Sequence, residues 1–217
     1  GVAKTDLSKP DCAALERGFE NLKCHIENIA KFGLPAVVAV NKFITDTDEE
    51  IKVLQDLCTK NGSTAVLSEG WGKGGEGTKE LAKVVAEIAD SGKADFHPLY
   101  DLELPLADKI KKIATEIYRA KDVSIDATAL KKLKTYEEQG YGNLPVCIAK
   151  TQNSISHDPK LIGAPSGFTF PIRDVQLYAG AGFVVALAGD IMTMPGLPKA
   201  PAALNIDVDD NGVITGL

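Results

Sequence analysis

Residues 64–88 read TAVLSEGWGKGGEGTKELAKVVAEI. The first four residues are a short apolar run of the kind found in β-strands. The last nine repeat their apolar residues with helical spacing, at Leu81, Val84, Val85 and Ile88. Between the two lie five glycines and the only tryptophan of the chain, Trp71. The stretch therefore predicts a strand, a glycine-rich turn and the start of a helix.

The residues upstream continue this alternation of helix and strand. A long helix ending at Gly33 is predicted by one apolar stripe, which consists of Leu15, Phe19, Leu22, Ile26 and Ile29. A strand follows in PAVVAV at residues 35–40, and a capping box of Thr47 and Glu50 opens a second helix. The order helix, strand, helix, strand, helix over residues 11–90 predicts an α/β fold with a parallel sheet.

The loops that follow the two strands carry the candidate site. Phe43 comes just after the first strand, and Trp71 comes just after the second. Because ligands of open α/β sheets bind outside the carboxyl ends of the strands, we expect both aromatic rings at one edge. Two such rings can flank a slot for a flat conjugated ring. The alternative is that Trp71 covers the hydrophobic core.

The second half of the chain has a different pattern. Residues 1–92 are predicted as the α/β part, and residues 93–217 as a smaller α+β region. In that region we predict a helix after Pro105, a helix capped by Asp126, a hairpin turn at Asn211-Gly212 and four strands, at residues 123–125, 145–149, 168–174 and 176–188. Gly180 and Gly182 suggest a bulge or a close backbone contact. A proline-punctuated stretch at 189–201 includes Asp190, which we expect to orient a loop.

Composition excludes several function classes. The formal charge of -6 argues against a nucleic-acid partner, which needs a basic face. No apolar run is long enough to span a membrane. The cysteines are scattered without a C-x-x-C pair, so a zinc site is not expected. We predict reduced, buried thiols of a cytoplasmic protein, with Cys24 and Cys58 on helices and Cys147 in a strand.

Short motifs leave two alternatives open. Gly72, Gly74 and Gly77 match the spacing of a dinucleotide-binding fingerprint, which would indicate a nicotinamide-dependent oxidoreductase. That fingerprint needs a second strand about 20 residues later, yet ADFHPLYDL at residues 94–102 has no strand pattern. The other alternative is a non-catalytic assembly module, in which the C-terminal strands form a subunit interface. No phosphate-binding loop is found anywhere in the chain.

Five longer runs carry a resemblance to a known family. They are VVAVNKF (37–43), SEGWGKGGEG (68–77), PVCIAKTQNSISHDP (145–159), AGAGFVVALAGDIMTMPGLPKAPAA (179–203) and NIDVDDNGVITGL (205–217). Together they resemble the formate–tetrahydrofolate ligases. Members of that family use ATP and magnesium to join formate to tetrahydrofolate, and formyl phosphate is formed first. The resemblance covers the whole chain and implies the C-terminal part of such an enzyme.

The resemblance also implies roles for particular residues. Phe43 and Trp71 occupy the positions that sandwich the folate ring in the family. Six further residues are expected near the nucleotide or the folate tail: Asn41, Lys42, Gly72, Lys73, Gly74 and Gly75. The alternative for Asn41 and Lys42 is that they only cap the end of the strand. The N-terminal half of the family, with the phosphate loop of a P-loop NTPase-like core, is not in these 217 residues. We therefore expect no catalytic or metal-binding residue here and no activity from this segment alone. We also expect a homo-oligomer.

Overall fold

The computed structural model describes residues 2–189, 191 and 199–216. Asp190 and most of the proline-punctuated stretch lie outside the described residues. Within them, helices and strands are mixed and parallel strand pairs occur, which confirms the α/β class. No helix of the described residues is long and apolar enough to cross a membrane.

The first part of the chain alternates as the sequence predicts. After a short 3-10 turn at Lys4–Asp6 come α1 (Cys12–Ala30), β1 (Val37–Asn41), α2 (Asp48–Lys60), β2 (Thr64–Ser68), α3 (Gly70–Lys73), a 3-10 turn (Gly74–Thr78) and α4 (Lys79–Asp90). The glycine-rich stretch is therefore not an open turn. It winds into two short helical segments, because its backbone donors find acceptors within the stretch itself.

The two strands of this part pair in parallel. The register runs from Val37 opposite Thr64 to Asn41 opposite Ser68. Phe19 and Ile26 of α1 pack with Cys58 of α2 in a core that also includes the partly buried Leu22, Ala36, Val38, Leu54, Leu57 and Ala65. Helices α1 and α2 thus cover one face of the sheet.

The starts of α1 and α2 are held to each other by one carboxylate. Thr47 and Glu50 form the predicted capping box, with the Glu50 backbone N–H donating to Thr47 Oγ1. In return, Glu50 Oε2 accepts the backbone N–H of Thr47 at 3.2 Å. Glu50 Oε1 accepts the backbone N–H of Asp11, the N-cap of α1, at 2.9 Å. This contact fixes the loop between β1 and α2 against the beginning of α1.

The second part has its own sheet. Its elements are α5 (Leu106–Glu116), β3 (Asp122–Ile125), α6 (Ala127–Tyr136) with a π-helical extension (Glu137–Tyr141), β4 (Val146–Ala149), β5 (Thr169–Tyr178), β6 (Phe183–Ala188), a 3-10 turn (Ala202–Leu204), β7 (Asp207–Val208) and β8 (Ile214–Thr215). The strand order is β3-β5-β6-β4, in which β5 and β6 are antiparallel and the outer pairs parallel. Leu106, Ile110, Phe170 and Val184 form its core, and none of them is exposed.

Several local predictions for this part need correction. β5 runs unbroken through residues 174–176, where the sequence suggested two strands, and a register shift between Ile172 and Asp174 absorbs the irregularity. Gly182 lies in the β5–β6 turn with φ of 77°, so this glycine permits a turn and not a bulge. Asp126 occupies the N-cap of α6, but its side chain makes no capping hydrogen bond. Cys147 is exposed, because it lies on the outward face of β4.

Other local predictions are confirmed, and the division into two parts is not tested. The tail hairpin is confirmed, with β7 and β8 antiparallel, and so are the buried thiols of Cys24 and Cys58. The division at residues 92 and 93 stays a prediction. The two parts contact each other where the Asn28 side chain donates to the Ile117 carbonyl at 3.0 Å and the Asp95 N–H donates to the Gly33 carbonyl at 2.8 Å.

Candidate functional site

The candidate site lies where β1 and β2 end. Asn41 and Ser68 are the last partners of the parallel pair, and the backbone N–H of Lys42 still donates to the Ser68 carbonyl at 3.2 Å. The loops that begin at Lys42 and Glu69 therefore leave the sheet at the same edge. This confirms the placement that the order of elements predicts for the two loops.

The first loop presents two apolar side chains to solvent. Its turn is closed by Asp46, whose carboxylate accepts the Phe43 N–H at 2.8 Å and whose own N–H donates to the Phe43 carbonyl at 3.1 Å. The Phe43 side chain is 65% exposed, and Ile44 is fully exposed. Sequence reasoning missed Ile44 and Asp46. The signal was an apolar pair inside an otherwise polar loop, just ahead of the capping box.

The second loop presents Trp71. This side chain is 98% exposed, so the alternative in which Trp71 covers the core is wrong. It stands on α3, where the N–H groups of Gly72 and Lys73 both donate to the Glu69 carbonyl, at 3.1 and 2.9 Å. The helix thus holds an indole ring away from the protein, which is costly for so large an apolar surface unless a ligand or partner covers it.

The glycines of this loop divide into two groups. A Cβ at Gly77 would lie 2.4 Å from the Glu69 carbonyl oxygen, at the point where the Glu69 N–H donates to the Gly77 carbonyl at 3.0 Å. Gly77 is therefore needed for the loop to close on itself. A Cβ at Gly72, Gly74 or Gly75 would meet nothing within 4 Å. These three leave a bare backbone surface beside Trp71 that another molecule can approach closely.

The charges at this edge are arranged around Glu69. Lys73 Nζ lies 2.7 Å from Glu69 Oε2, and Lys42 Nζ lies 3.3 Å from Asp48 Oδ1. The pKa of Glu69 is lowered, chiefly by the hydrogen bond from Lys73 and further by the charges of Lys73 and Lys42. Lys73 thus pairs directly with Glu69, whereas Lys42 pairs with Asp48 and acts on Glu69 only through its charge.

The backbone of this loop is not a ready anion cradle. The N–H groups of Gly72 and Lys73 donate to Glu69, and the Gly74 N–H donates to the Gly70 carbonyl. These three donors are already used, so they can bind an anion only by breaking hydrogen bonds within the loop. The same geometry gives no support to the dinucleotide fingerprint, and residues 94–102 form no strand. No group of three or more His, Cys, Asp and Glu side chains able to hold a metal ion occurs among the residues that the structure describes.

The chain is similar to known proteins along its whole length. A model of the formate–tetrahydrofolate ligase family matches residues 1–217. Proteins named formate–tetrahydrofolate ligase are similar over the whole chain: 55% identical in Allorhizobium ampelinum, 54% in Zymomonas mobilis and 52% in Granulibacter bethesdensis. The chain spans 38–39% of the length of these relatives. On the strength of a match that leaves no residue out, the chain belongs to the formate–tetrahydrofolate ligase family.

Proposed function

We propose that this chain supplies the folate-binding part of an ATP-dependent ligase of one-carbon metabolism. The complete enzyme joins formate to tetrahydrofolate through formyl phosphate and releases 10-formyltetrahydrofolate, ADP and phosphate. The observation that carries the proposal is the exposure of Phe43 and Trp71 on neighbouring loops at one sheet edge. Stacking of the pterin ring between them would cover two apolar side chains that otherwise face water.

The lysines of the same edge suit the anionic parts of the substrates. Tetrahydrofolate carries glutamate carboxylates, and ATP carries phosphates. Lys73 can exchange its Glu69 partner for such a group, and Lys42 reinforces the positive charge nearby. Asn41 is exposed at the end of β1, where its amide can donate to the same ligand. Gly72, Gly74 and Gly75 leave room for the ligand to approach.

Phosphoryl transfer is assigned to the rest of the enzyme. ATP and magnesium require a phosphate loop and oxygen ligands for the metal. The sequence has no phosphate loop, and no acidic cluster that fits magnesium occurs in the described residues. These residues therefore contribute binding and orientation of the folate, and no proton or phosphoryl step is placed on them.

The rest of the enzyme, outside these 217 residues, would also complete the first sheet. β1 and β2 form a sheet of only two strands, whereas parallel sheets in proteins are larger and covered on both faces. Ala39 and Asn41 of β1 are exposed, and no side chain of α4 is buried. We infer that the N-terminal half, with its P-loop NTPase-like core, packs on these surfaces.

The tail hairpin supports a homo-oligomer. Leu204, Val208, Val213 and Ile214 are each more than half exposed, and Val208 pairs with Ile214 across the hairpin. An isolated two-stranded hairpin is marginally stable in water. We infer that another copy of the protein covers its apolar side chains. Sedimentation of the full-length protein and of a variant ending at Ala200 tests this inference. The deletion should lower the number of copies in the assembly.

Activity is tested by comparing this chain with the full-length protein. We expect formate- and tetrahydrofolate-dependent ADP release from the full-length protein and none from the 217 residues alone, since the phosphate loop is elsewhere. Turnover by the 217 residues would contradict the division of labour. Reduction or oxidation of a nicotinamide cofactor by the full-length protein, without ligase activity, would contradict the function itself.

A further inference from the structure

A cavity lies between the two parts of the chain. It has a volume of about 880 Å³ and is bounded by α1, by residues 96–102, by the end of α5, by β4 and by the loop after β4. None of the candidate folate or nucleotide residues lines it. Its size is that of cavities that enclose small organic ligands, which run to roughly 1,000 Å³.

The walls of this cavity are mostly apolar and carry no negative charge. Phe32, Phe96 and Ile117 contribute apolar surface from three different elements, and Phe96 is 66% exposed. No aspartate or glutamate is among the lining residues, although the chain has 30 acidic residues and a net charge of -6. The polar lining consists of amides, hydroxyls, one histidine and one lysine. Such a surface favours an apolar molecule and does not repel an anion.

The lysine of the cavity has no carboxylate partner among the residues that the structure describes. Lys150 Nζ donates to the Thr151 carbonyl at 2.8 Å and to the Ser154 carbonyl, and it lies 5.3 Å from the centre of the Tyr118 ring. An ammonium group has three N–H donors, so one remains beyond these two carbonyls. Within the described chain Lys150 forms no ion pair, and burial lowers its pKa. A partly buried charge of this kind is stabilised by an anion that enters beside it.

Two lining residues of α1 also form hydrogen bonds to the second part of the chain. Asn28 donates from α1 to the Ile117 carbonyl at the end of α5, at 3.0 Å, and Asn21 donates to the Gly163 carbonyl at 2.6 Å. These bonds tie α1 to two segments of the second part of the chain. The space between them is therefore formed in advance of any ligand.

We propose that this cavity binds a small amphipathic organic anion. Its apolar body, aromatic or branched, packs between α1 and β4, and its single acidic group pairs with the ammonium of Lys150. The site is separate from the folate slot, so the proposal stands whether or not the proposed ligase activity is found.

The experiment uses the full-length protein and the thiol of Cys147 as a local reporter. Cys147 lines the cavity and is exposed, whereas Cys24 and Cys58 are buried. Alkylation of Cys147 by iodoacetamide is followed by peptide mass spectrometry at rising concentrations of two dyes. One is 8-anilinonaphthalene-1-sulfonate, and the other is N-phenyl-1-naphthylamine, which has the same aromatic body without the sulfonate. We expect both dyes to slow the alkylation and the sulfonate to act at the lower concentration.

A pair of variants then tests the charge without touching the Lys150 loop. Ile29 lines the cavity from α1 and is 42% exposed, so it tolerates a polar side chain. Ile29→Glu should raise the sulfonate concentration needed for half protection about fivefold over Ile29→Gln, the effect of one like charge near the ligand. The neutral dye should not distinguish the two variants.

Three results would overturn the proposal. Cys147 that is not alkylated in the full-length protein would show that the cavity is closed to solutes. Alkylation that neither dye slows would show that the cavity is accessible but holds no such ligand. Protection by both dyes at equal concentrations, unchanged in Ile29→Glu, would show an apolar cavity without preference for an anion.

Discussion

Lys73 and Glu69 form an ion pair of 2.7 Å within the loop that carries Trp71. The pair spans one turn of the short helix α3, and Lys42 from the neighbouring loop lies near enough to affect the same carboxylate. We propose that an anionic substrate group takes the place of Glu69 beside Lys73, so that Glu69 competes with that group.

This competition predicts opposite effects for the two partners. In the full-length enzyme, Lys73→Ala should weaken one anionic substrate about fivefold or more, as expected for a lost charge-assisted hydrogen bond. Glu69→Gln should leave Lys73 without its partner and tighten the same substrate. Calorimetric titration with ATP and with tetrahydrofolate identifies which ligand responds. If neither affinity changes in either variant, Lys73 is a surface charge and not part of an anion site.

The closed form of the loop depends on Gly77. Gly77→Ala places a Cβ 2.4 Å from the Glu69 carbonyl oxygen, and the backbone must move to relieve the clash. We expect a loss of about 1–3 kcal/mol in the unfolding free energy, as for other overpacked sites. Gly75→Ala is the matched control, since its Cβ would meet nothing within 4 Å. Urea unfolding of both variants measures the difference, and equal stabilities would contradict the clash.

The protonation of Glu50 should make the unfolding free energy depend on pH in the acid range. Its pKa is lowered, chiefly by the hydrogen bond from the Asp11 backbone and then by those from Thr47. A carboxylate whose pKa is lower in the folded state stabilises the folded protein. This stabilisation is complete above the unfolded pKa of about 4.3, and it is lost as the pH falls through the folded pKa.

Replacing Glu50 by glutamine should therefore cost about 1 kcal/mol near pH 7, because a neutral acceptor forms weaker hydrogen bonds than a charged one. The cost should shrink as the pH falls below 4.3. Glu49→Gln removes the same charge from the same turn at an exposed position and is the control. Unfolding curves at several pH values give the result, and a cost that does not change with pH would contradict the role of the charge.

Much of the fold could be predicted because its elements are locally encoded. The capping box of Thr47 and Glu50 and the apolar run of β1 act over a few residues, and both are confirmed. The order of the elements then placed Phe43 and Trp71 at one edge, because parallel strands joined by helices end on the same side.

The features that were missed depend on contacts that the sequence pattern does not specify. The helical winding of residues 70–78 depends on which carbonyls Gly72 and Lys73 reach. The exposure of Cys147 depends on which face of β4 is left uncovered. The cavity around Lys150 requires the packing of α1 against the second part of the chain, which no local signal announces.

The central claim is that Phe43 and Trp71 hold the folate ring. In the full-length enzyme, Phe43→Ala and Trp71→Ala should each raise the dissociation constant of tetrahydrofolate about tenfold, because a stacked aromatic pair and the area it buries are lost. The effects should be strongly non-additive, since the two rings share one ligand. Phe96→Ala is the matched control, because Phe96 is 66% exposed against 65% for Phe43 and lies outside the slot.

The most direct measurement is a titration of these three single variants and the Phe43/Trp71 double variant with tetrahydrofolate and with ATP. The account predicts weaker folate binding in the Phe43 and Trp71 variants, unchanged folate binding in Phe96→Ala, and nearly unchanged ATP binding throughout. Equal losses of folate and ATP affinity in Trp71→Ala would show instead a collapsed loop. Unchanged folate affinity in both slot variants would contradict the folate site itself.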